Sequence, residues 1–190
     1  DFSRRLRTDD KEGVFAELCD GMNRIGEAAN DGLGAVPPIG KVVLPEYRGR
    51  DDRNSARWHK SHPHMLFPDK VWAVWMDANV VATGDWSAEF EAFKSSERAV
   101  GAIRHPLRTN IAEEIAECAR LGKERSETLQ DLPPSIGAFR NDGLWETNLL
   151  FFNLEHPGLR RFLNRWWQYL ELWSNRDQIS FPVAAEEAGL

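Results

Sequence analysis

The chain is poor in cysteine, with only Cys19 and Cys118 in 190 residues. Two thiols so far apart fit neither a metal knuckle nor a disulfide framework. Both fall on apolar helical faces, so buried free thiols in a reducing compartment are the expectation. Long apolar runs are lacking too. No stretch reaches membrane-spanning length, and the first residues, DFSRRLRTDD, hold no signal-peptide core. A cytoplasmic protein with no transmembrane segment is expected. Basic charge is in short supply, with 24 Lys and Arg against 30 Asp and Glu and a net charge of −6. Without a global positive field the chain is no general nucleic-acid binder. Internal repeats and low-complexity runs are absent.

Aromatics, by contrast, are plentiful. Eight Trp and ten Phe exceed what a core of this size needs. Some could form stacking surfaces of the kind sugars and bases use, although core packing is the commoner fate of each. With 42% hydrophobic and 28% charged residues the composition is that of an ordinary globular protein. The length suits one well-formed domain and is short for two, so residues 1–190 are expected to form a single domain.

Apolar residues at 14, 15, 18, 19, 22 and 25 give Val14 to Ala29 a helical period. Asn30 to Gly40 is a linker dense in Gly and Pro, and Lys41 to Pro45 reads as a short strand stopped by proline. Asp51 to Ser61 is expected to be a helix with Arg53, Arg57 and Lys60 along one face, ended by His62-Pro63-His64. Val71 to Met76 is a continuous apolar run, which suits a strand buried on both faces of a parallel sheet. Ser87 then caps a helix to Ser95, Arg98 to Ile103 forms a strand, and Asn110 with Glu113 makes a capping box for a helix through Leu121. Gln130 to Arg140 is irregular around Pro133-Pro134. Trp145 to Asn153 is a strand, Pro157 to Trp173 the clearest helix, and Asn175 to Gln178 leads into a last short helix. Strands alternating with helices predict an α/β layered domain.

Several constellations can carry chemistry. Asp77, with Asn79 two residues on, closes the Trp-rich strand. Two oxygen donors there can share one hard cation, or Asp77 caps a turn with Asn79 in a left-handed conformation. Arg53, Arg57 and Lys60 suit a pyrophosphate, or form a solvated face paired with Asp51, Asp52 and Asp69. His62 and His64 make an H-x-H pair, but a proline separates them, which favours surface hydrogen bonds over a metal. Arg104, His105 and Arg108 follow a strand, where substrate groups are met, or else pair with Glu113 and Glu114. His105 could be a ligand, a proton carrier or a donor to a sugar hydroxyl. Asp177 opens the last helix as an N-cap or as a functional acid, and Glu146 at a strand start carries the same two readings.

Taken together these segments resemble a known pattern. VWAVWMDANVVATGDW is similar to the strand and metal-binding motif of glycogenin-like sugar transferases of the GT-A fold. The closer resemblance is to the glycosyltransferase-like family of plant mucilage-type and bacterial capsular proteins. Its motifs stand here as Asn54-Arg57-Lys60, Pro63-His64-Leu66-Phe67-Pro68, Trp75-Asp77-Asn79, His105-Pro106-Arg108, Gly143-Leu144-Glu146 and Arg176-Asp177-Gln178-Ser180-Phe181. The match runs over residues 50–183, while residues 1–49 match poorly and lack the family's opening strand and base-binding segment.

The resemblance implies a GT-A-like, Rossmann-related mixed sheet flanked by helices. It also implies transfer of a sugar from a nucleoside diphosphate sugar donor to a glycan or other hydroxyl acceptor. A divalent cation, Mn²⁺ or Mg²⁺, would sit on Asp77 with Asn79 assisting, although Asn79 replaces the second acid of the glycogenin-like motif. Arg57 and Lys60, with Arg53 as a third, would face the phosphates. His64, Arg104, His105, Arg108, Arg176 and Gln178 complete the substrate-binding set. Asp177 is the first candidate for the catalytic carboxylate and Glu146 the second. Two other classes stand beside this one. A metal-dependent phosphoesterase would need His62, His64, Asp77 and His105 to converge on one cation. A non-catalytic carbohydrate-binding domain would use the Trp surfaces alone.

Overall fold

The computed structural model describes residues 47–80, 85–124, 128, 143–174 and 176–190. The expected helix over Val14 to Ala29, the linker after it, the Lys41 to Pro45 strand, Cys19 and the irregular Gln130 to Arg140 stretch lie outside these residues.

Strand β3 (Trp145–Asn153) lies at the middle of a three-stranded sheet, between β1 (Trp72–Met76) and β2 (Val100–Arg104). Both outer strands pair with it antiparallel. They therefore run in the same direction as each other, with helix α3 (Ser87–Ser95) connecting them and β3 inserted between. The parallel pairing expected of β1 is corrected here, and what stands of the α/β expectation is its coarse form, helices with a small antiparallel sheet. Alternation of strand and helix is present, but the last strand in sequence enters between the first two and makes every described pairing antiparallel.

A second correction concerns β1. Among the described residues it is an edge strand, not one buried on both faces, and Val71 and Val74 are each 39% exposed. Its apolar run is explained by two different neighbours. Ala73 and Trp75 pack with Leu150 and Phe152 against the main core. On the other face Trp72 meets Phe90 and Phe93 of α3, with ring centroids 6.4 and 5.7 Å apart, and Phe151 lies 5.6 Å from Phe93. A bulge breaks the β2–β3 register between Ala102, opposite Leu150, and Ile103, opposite Glu146.

Helix starts follow local chemistry. Asp51 Oδ1 accepts the Asn54 N–H at 2.7 Å and caps α1 (Asp52–Ser61). Asn54 Nδ2 donates to Glu171 at 2.6 Å, and Arg50 donates to the Leu170 and Glu171 carbonyls, docking α1 on the end of a later helix. Pro63 starts a four-residue turn, α2 (Pro63–Leu66), where the sequence suggested only a break. Ser87 does not cap α3. Asp85 does that work instead, its Oδ1 accepting from both the backbone N–H and the hydroxyl of Ser87. For α4 (Ile111–Arg120), Asn110 accepts the Glu113 N–H, while Glu113 reaches back to Thr109.

The core lies between the sheet and two helices, α5 (Leu159–Leu172) and α6 (Asp177–Ala188). Gly158, not Pro157, holds the α5 N-cap position. Leu159, Phe162, Leu163, Trp166, Tyr169 and Leu170 give α5 one apolar stripe. Helix α6 is longer than expected and differently built, buried on all sides from Asp177 through Ala184. Pro182 lies inside it and removes the donor that would meet the Gln178 carbonyl. Gly189, at φ +76°, ends the helix in a left-handed conformation that residues with a Cβ rarely adopt. Among the described residues no helix is long and apolar enough to cross a membrane.

Gly101 sits where the outer face is tightest, since a Cβ added there would lie 2.9 Å from the Phe93 ring. Gly101→Ala is expected to destabilise the fold by about 1–3 kcal/mol through overpacking. Urea denaturation checks this, and a midpoint equal to that of the parent protein would count against a closely packed aromatic layer.

Candidate functional site

Strand β1 delivers Asp77 to the edge of the sheet. The ladder continues one step beyond the strand, with Asp77 N–H donating to the Asn148 carbonyl at 2.8 Å, and the Asp77 carbonyl then closes a turn by accepting from Val80 N–H. Asn79 is exposed and is not left-handed. Trp75, two residues back on the same strand face, donates its Nε1–H to Asp77 Oδ1 at 2.5 Å.

Helix α1 supplies the cations. Lys60 is wholly buried at its end, with Nζ 2.5 Å from Asp177 Oδ2 and 3.3 Å from Asp77 Oδ1, and 5.8 Å from the centre of the Trp75 ring. One turn earlier Arg57 places a guanidinium nitrogen 3.4 Å from Asp177 Oδ1. Four residues from three distant segments thus form one charged cluster. Burial pushes the Asp177 carboxyl up, but Arg57 and Lys60 together outweigh it and hold the group well below the usual carboxylate range. Asp177 is the first residue of α6 and does not cap it, since Arg176 holds the cap position.

The residues flanking Asp177 reach other elements. Gln178 Nε2 donates to Glu146 Oε2 at 3.5 Å, and Arg176 donates to Glu114 Oε1 and Gln178 Oε1, each at 3.2 Å. Glu114 is buried and also accepts from Arg108 Nε at 2.6 Å and from the Cys118 thiol at 3.3 Å. Burial is the main reason that thiol is pushed up from its ordinary value. Arg108 thus takes the acid partner that the sequence left open, and Cys118 is a buried free thiol as expected.

His105 stands between the bulged strand and Glu146. Its Nδ1 accepts the N–H groups of Leu107 and Arg108, at 3.1 and 3.0 Å, so the proton of the neutral ring belongs on Nε2. That N–H points at Glu146 Oε1, 3.2 Å away. Arg108 also approaches Nε2, at 2.7 Å, but a donor facing a donor is not a hydrogen bond, and the bond is assigned to Glu146.

Of the expected site residues His64 lies apart, and Arg53 is exposed. Arg104 is exposed and stacks over the Trp145 ring at 5.7 Å. His64 lines a groove of about 480 Å³ with Phe67, Lys70, His156 and Arg160, near Val71 at the opposite end of β1 from Asp77. His62 stacks between Trp58, at 4.5 Å, and His64, at 5.9 Å, so neither His of the H-x-H pair reaches the acid cluster. The phosphoesterase arrangement is not formed. Among the described residues no three His, Cys, Asp or Glu side chains come together as a cation site.

Trp75, part of the W-x-D motif without a role of its own, donates to Asp77, and Glu114, one of two acids named as possible partners, is the one that takes Arg108. A divalent cation fits here only as a partly built site. Asp77 offers one carboxylate on a side chain 27% exposed, with Oδ1 already receiving Trp75 and Lys60, and Asn79 offers a neutral oxygen. Mg²⁺-type ions tolerate so few protein ligands when substrate phosphates and water supply the rest.

The acids and histidines predict a two-stage loss of stability with falling pH. Burial, the largest influence, lowers both His62 and His64, so the unfolded chain takes up protons first and stability declines as pH falls through 6.5. Asp177 is depressed when folded, so its contribution is full above its ordinary value of 3.8 and lost below it. Denaturation midpoints measured from about pH 8 to about pH 3 check both stages. His62→Phe should flatten the upper one, and a parent curve that is flat through 6.5 would refute the His assignment. Asp177→Asn should cost about 3–5 kcal/mol at neutral pH, because it leaves Lys60 buried without its closest partner.

No family model matches this chain, and no curated protein or solved structure is a significant match to it.

Proposed function

We propose that the chain transfers a sugar from a nucleoside diphosphate donor to a hydroxyl acceptor, on a GT-A-like scaffold. The observation carrying this reading is the meeting of Asp77, Lys60, Arg57 and Asp177. The pairs involved are 17, 117 and 120 residues apart in sequence and belong to three of the motifs on which the family resemblance rests.

Transfer breaks the bond between the anomeric carbon and the donor phosphate, and the diphosphate leaves with the electron pair. The acceptor oxygen forms the new bond and gives up its proton. Two cations, Arg57 and Lys60, are matched by two acids, Asp77 and Asp177, so the cluster has no surplus positive charge for a diphosphate. A bound Mn²⁺ or Mg²⁺ would supply that charge as a Lewis acid, held by Asp77 with Asn79. Arg57, with a side chain 15% exposed and beside Asp177, is the cation of this cluster that a phosphate can approach. Lys60 cannot touch substrate, and its part is to fix Asp77 in place.

The proton goes to Glu146, whose side chain is 23% exposed and oriented by His105 Nε2–H and Gln178. This reverses the expected order of the two catalytic candidates. A sealed carboxylate held far below neutrality is a poor base, so Asp177 serves as a positioning residue for Arg57 and Lys60. The Trp-surface alternative is less supported, because Trp166 is fully buried and Trp58 has both faces covered, by Tyr47 and His62.

Purified protein given a panel of nucleotide sugars and Mn²⁺ should release nucleoside diphosphate. Glu146→Gln is expected to lower kcat by about 10²–10⁴-fold with little change in donor KM, the pattern of a lost general base. Asp77→Ala should abolish transfer without unfolding the chain, and full activity in that variant would refute the site.

A further inference from the structure

We propose that Arg108 and Arg176 form an anion-binding subsite beside Glu146, so that the acceptor carries a carboxylate or a phosphate monoester close to its reacting hydroxyl. This rests on the transfer reading above and names the class of acceptor, which that reading leaves open.

The subsite is built around an acid that no ligand can touch. Glu114 is 1% exposed, and each of its oxygens holds one guanidinium. Oε2 accepts from Arg108 Nε at 2.6 Å, and Oε1 accepts from Arg176 Nη2 at 3.2 Å. One sealed carboxylate therefore fixes two cations and can neutralise only one of them. The two arginine side chains keep 19% and 17% exposure, so the pair is open to a ligand while its anchor is not. Donors outnumber acceptors here as well. Arg108 Nη2 lies 2.7 Å from His105 Nε2, a nitrogen whose own proton goes to Glu146, and Arg176 Nε is buried without a partner. Unmet donors in a shielded setting are costly, and an oxyanion answers several at once. The planar fork of arginine suits carboxylate and phosphate oxygens alike.

Position ties such an anion to the reaction. Arg108 Nη2 and Glu146 Oε1 approach the same ring nitrogen of His105, at 2.7 and 3.2 Å. Gln178 joins the other guanidinium to the same acid, accepting from Arg176 at 3.2 Å and donating to Glu146 at 3.5 Å. A sugar whose hydroxyl reaches Glu146 thus brings a neighbouring substituent to the arginines. Charge balance favours an anionic one. Arg57, Lys60, Arg108 and Arg176 stand against Asp77, Asp177, Glu114 and Glu146, a network with no net charge. In transfer the acceptor oxygen bonds to the anomeric carbon, the diphosphate leaves with the electron pair, and the hydroxyl proton passes to Glu146. That acid then loses its charge, and the arginines beside the acceptor are left with one cation uncompensated. An anionic substituent compensates it as the reaction proceeds, which is an interaction stronger in the transition state than before it.

The test uses the whole chain and reads binding apart from activity. Glucuronate, glucose 6-phosphate and glucose are titrated calorimetrically against the parent, Glu146→Gln and Arg108→Lys. At least one of the two anionic sugars is expected to bind the parent about 10–100-fold more tightly than glucose, and which one does so identifies the group. Glu146→Gln copies the loss of charge on the acid and should tighten that anion but not glucose, a shift that a purely structural role for the arginines does not produce. Arg108→Lys keeps the charge, loses the fork and should weaken the anion about tenfold. If Arg108→Lys does not fold, the comparison of parent with Glu146→Gln decides. A parent that binds neither anion, or binds both no better than glucose, overturns the subsite. So does an anion affinity unchanged in folded Arg108→Lys or in Glu146→Gln. Each of these results leaves the transfer reading standing, because release of nucleoside diphosphate is measured separately with neutral acceptors. Anion binding as expected, with no diphosphate released from any donor, overturns the transfer reading and the acceptor assignment with it, while the anion site stands.

Discussion

The described structure depends on one buried ion pair, Lys60 with Asp177. It ties the end of α1 to the start of α6, two elements separated by almost the whole described sequence. Taking two charges out of water costs several kcal/mol per ion and is tolerated only where geometry and further partners repay it. Here Asp177 gains Arg57 as a second cation, and Lys60 gains Asp77 and the face of Trp75. The pair is thus the centre of a network, and each member's burial is made acceptable by the next.

The same logic extends along the first turn of α6. Arg176, Asp177 and Gln178 are consecutive, yet they reach α4, α1 and β3 respectively. A helix start that is buried must place its polar groups somewhere, and this one distributes them among three neighbours. The body of α6, with Ile179, Phe181, Val183 and Ala184, fills the space between α5 and the sheet. One segment therefore supplies both core and polar hub. Networks of this sort are costly when half satisfied, which constrains the positions of the elements they join.

Function, on the proposed reading, is assigned to the edge of this network and not to its centre. Asp77 and Glu146 are the acids that keep partial contact with solvent, while Asp177 and Glu114 are sealed behind them. The sealed acids hold cations in place, and the open ones face whatever binds. That division between positioning and reacting carboxylates arises from burial and neighbouring cations, because all four are the same chemistry.

Much of the local structure was legible in the sequence. The bounds of β3, the apolar stripe of α5, the Asn110 cap and the cationic face of α1 follow from periodicity and capping chemistry, which act over a few residues. The spaced motifs also singled out Asp77, Glu146 and Asp177, whose roles belong to the proposed reading. Strand order could not be read there, because antiparallel insertion of β3 between β1 and β2 depends on pairings far apart in the chain. Nor could the sequence tell that Lys60 is sealed, that Asp177 is held as an anion, or that His64 belongs to a groove at the other end of β1. Residue type and spacing determine what a side chain is able to do. Burial and neighbouring charge decide which of those things it does, and both arise only when distant segments pack together.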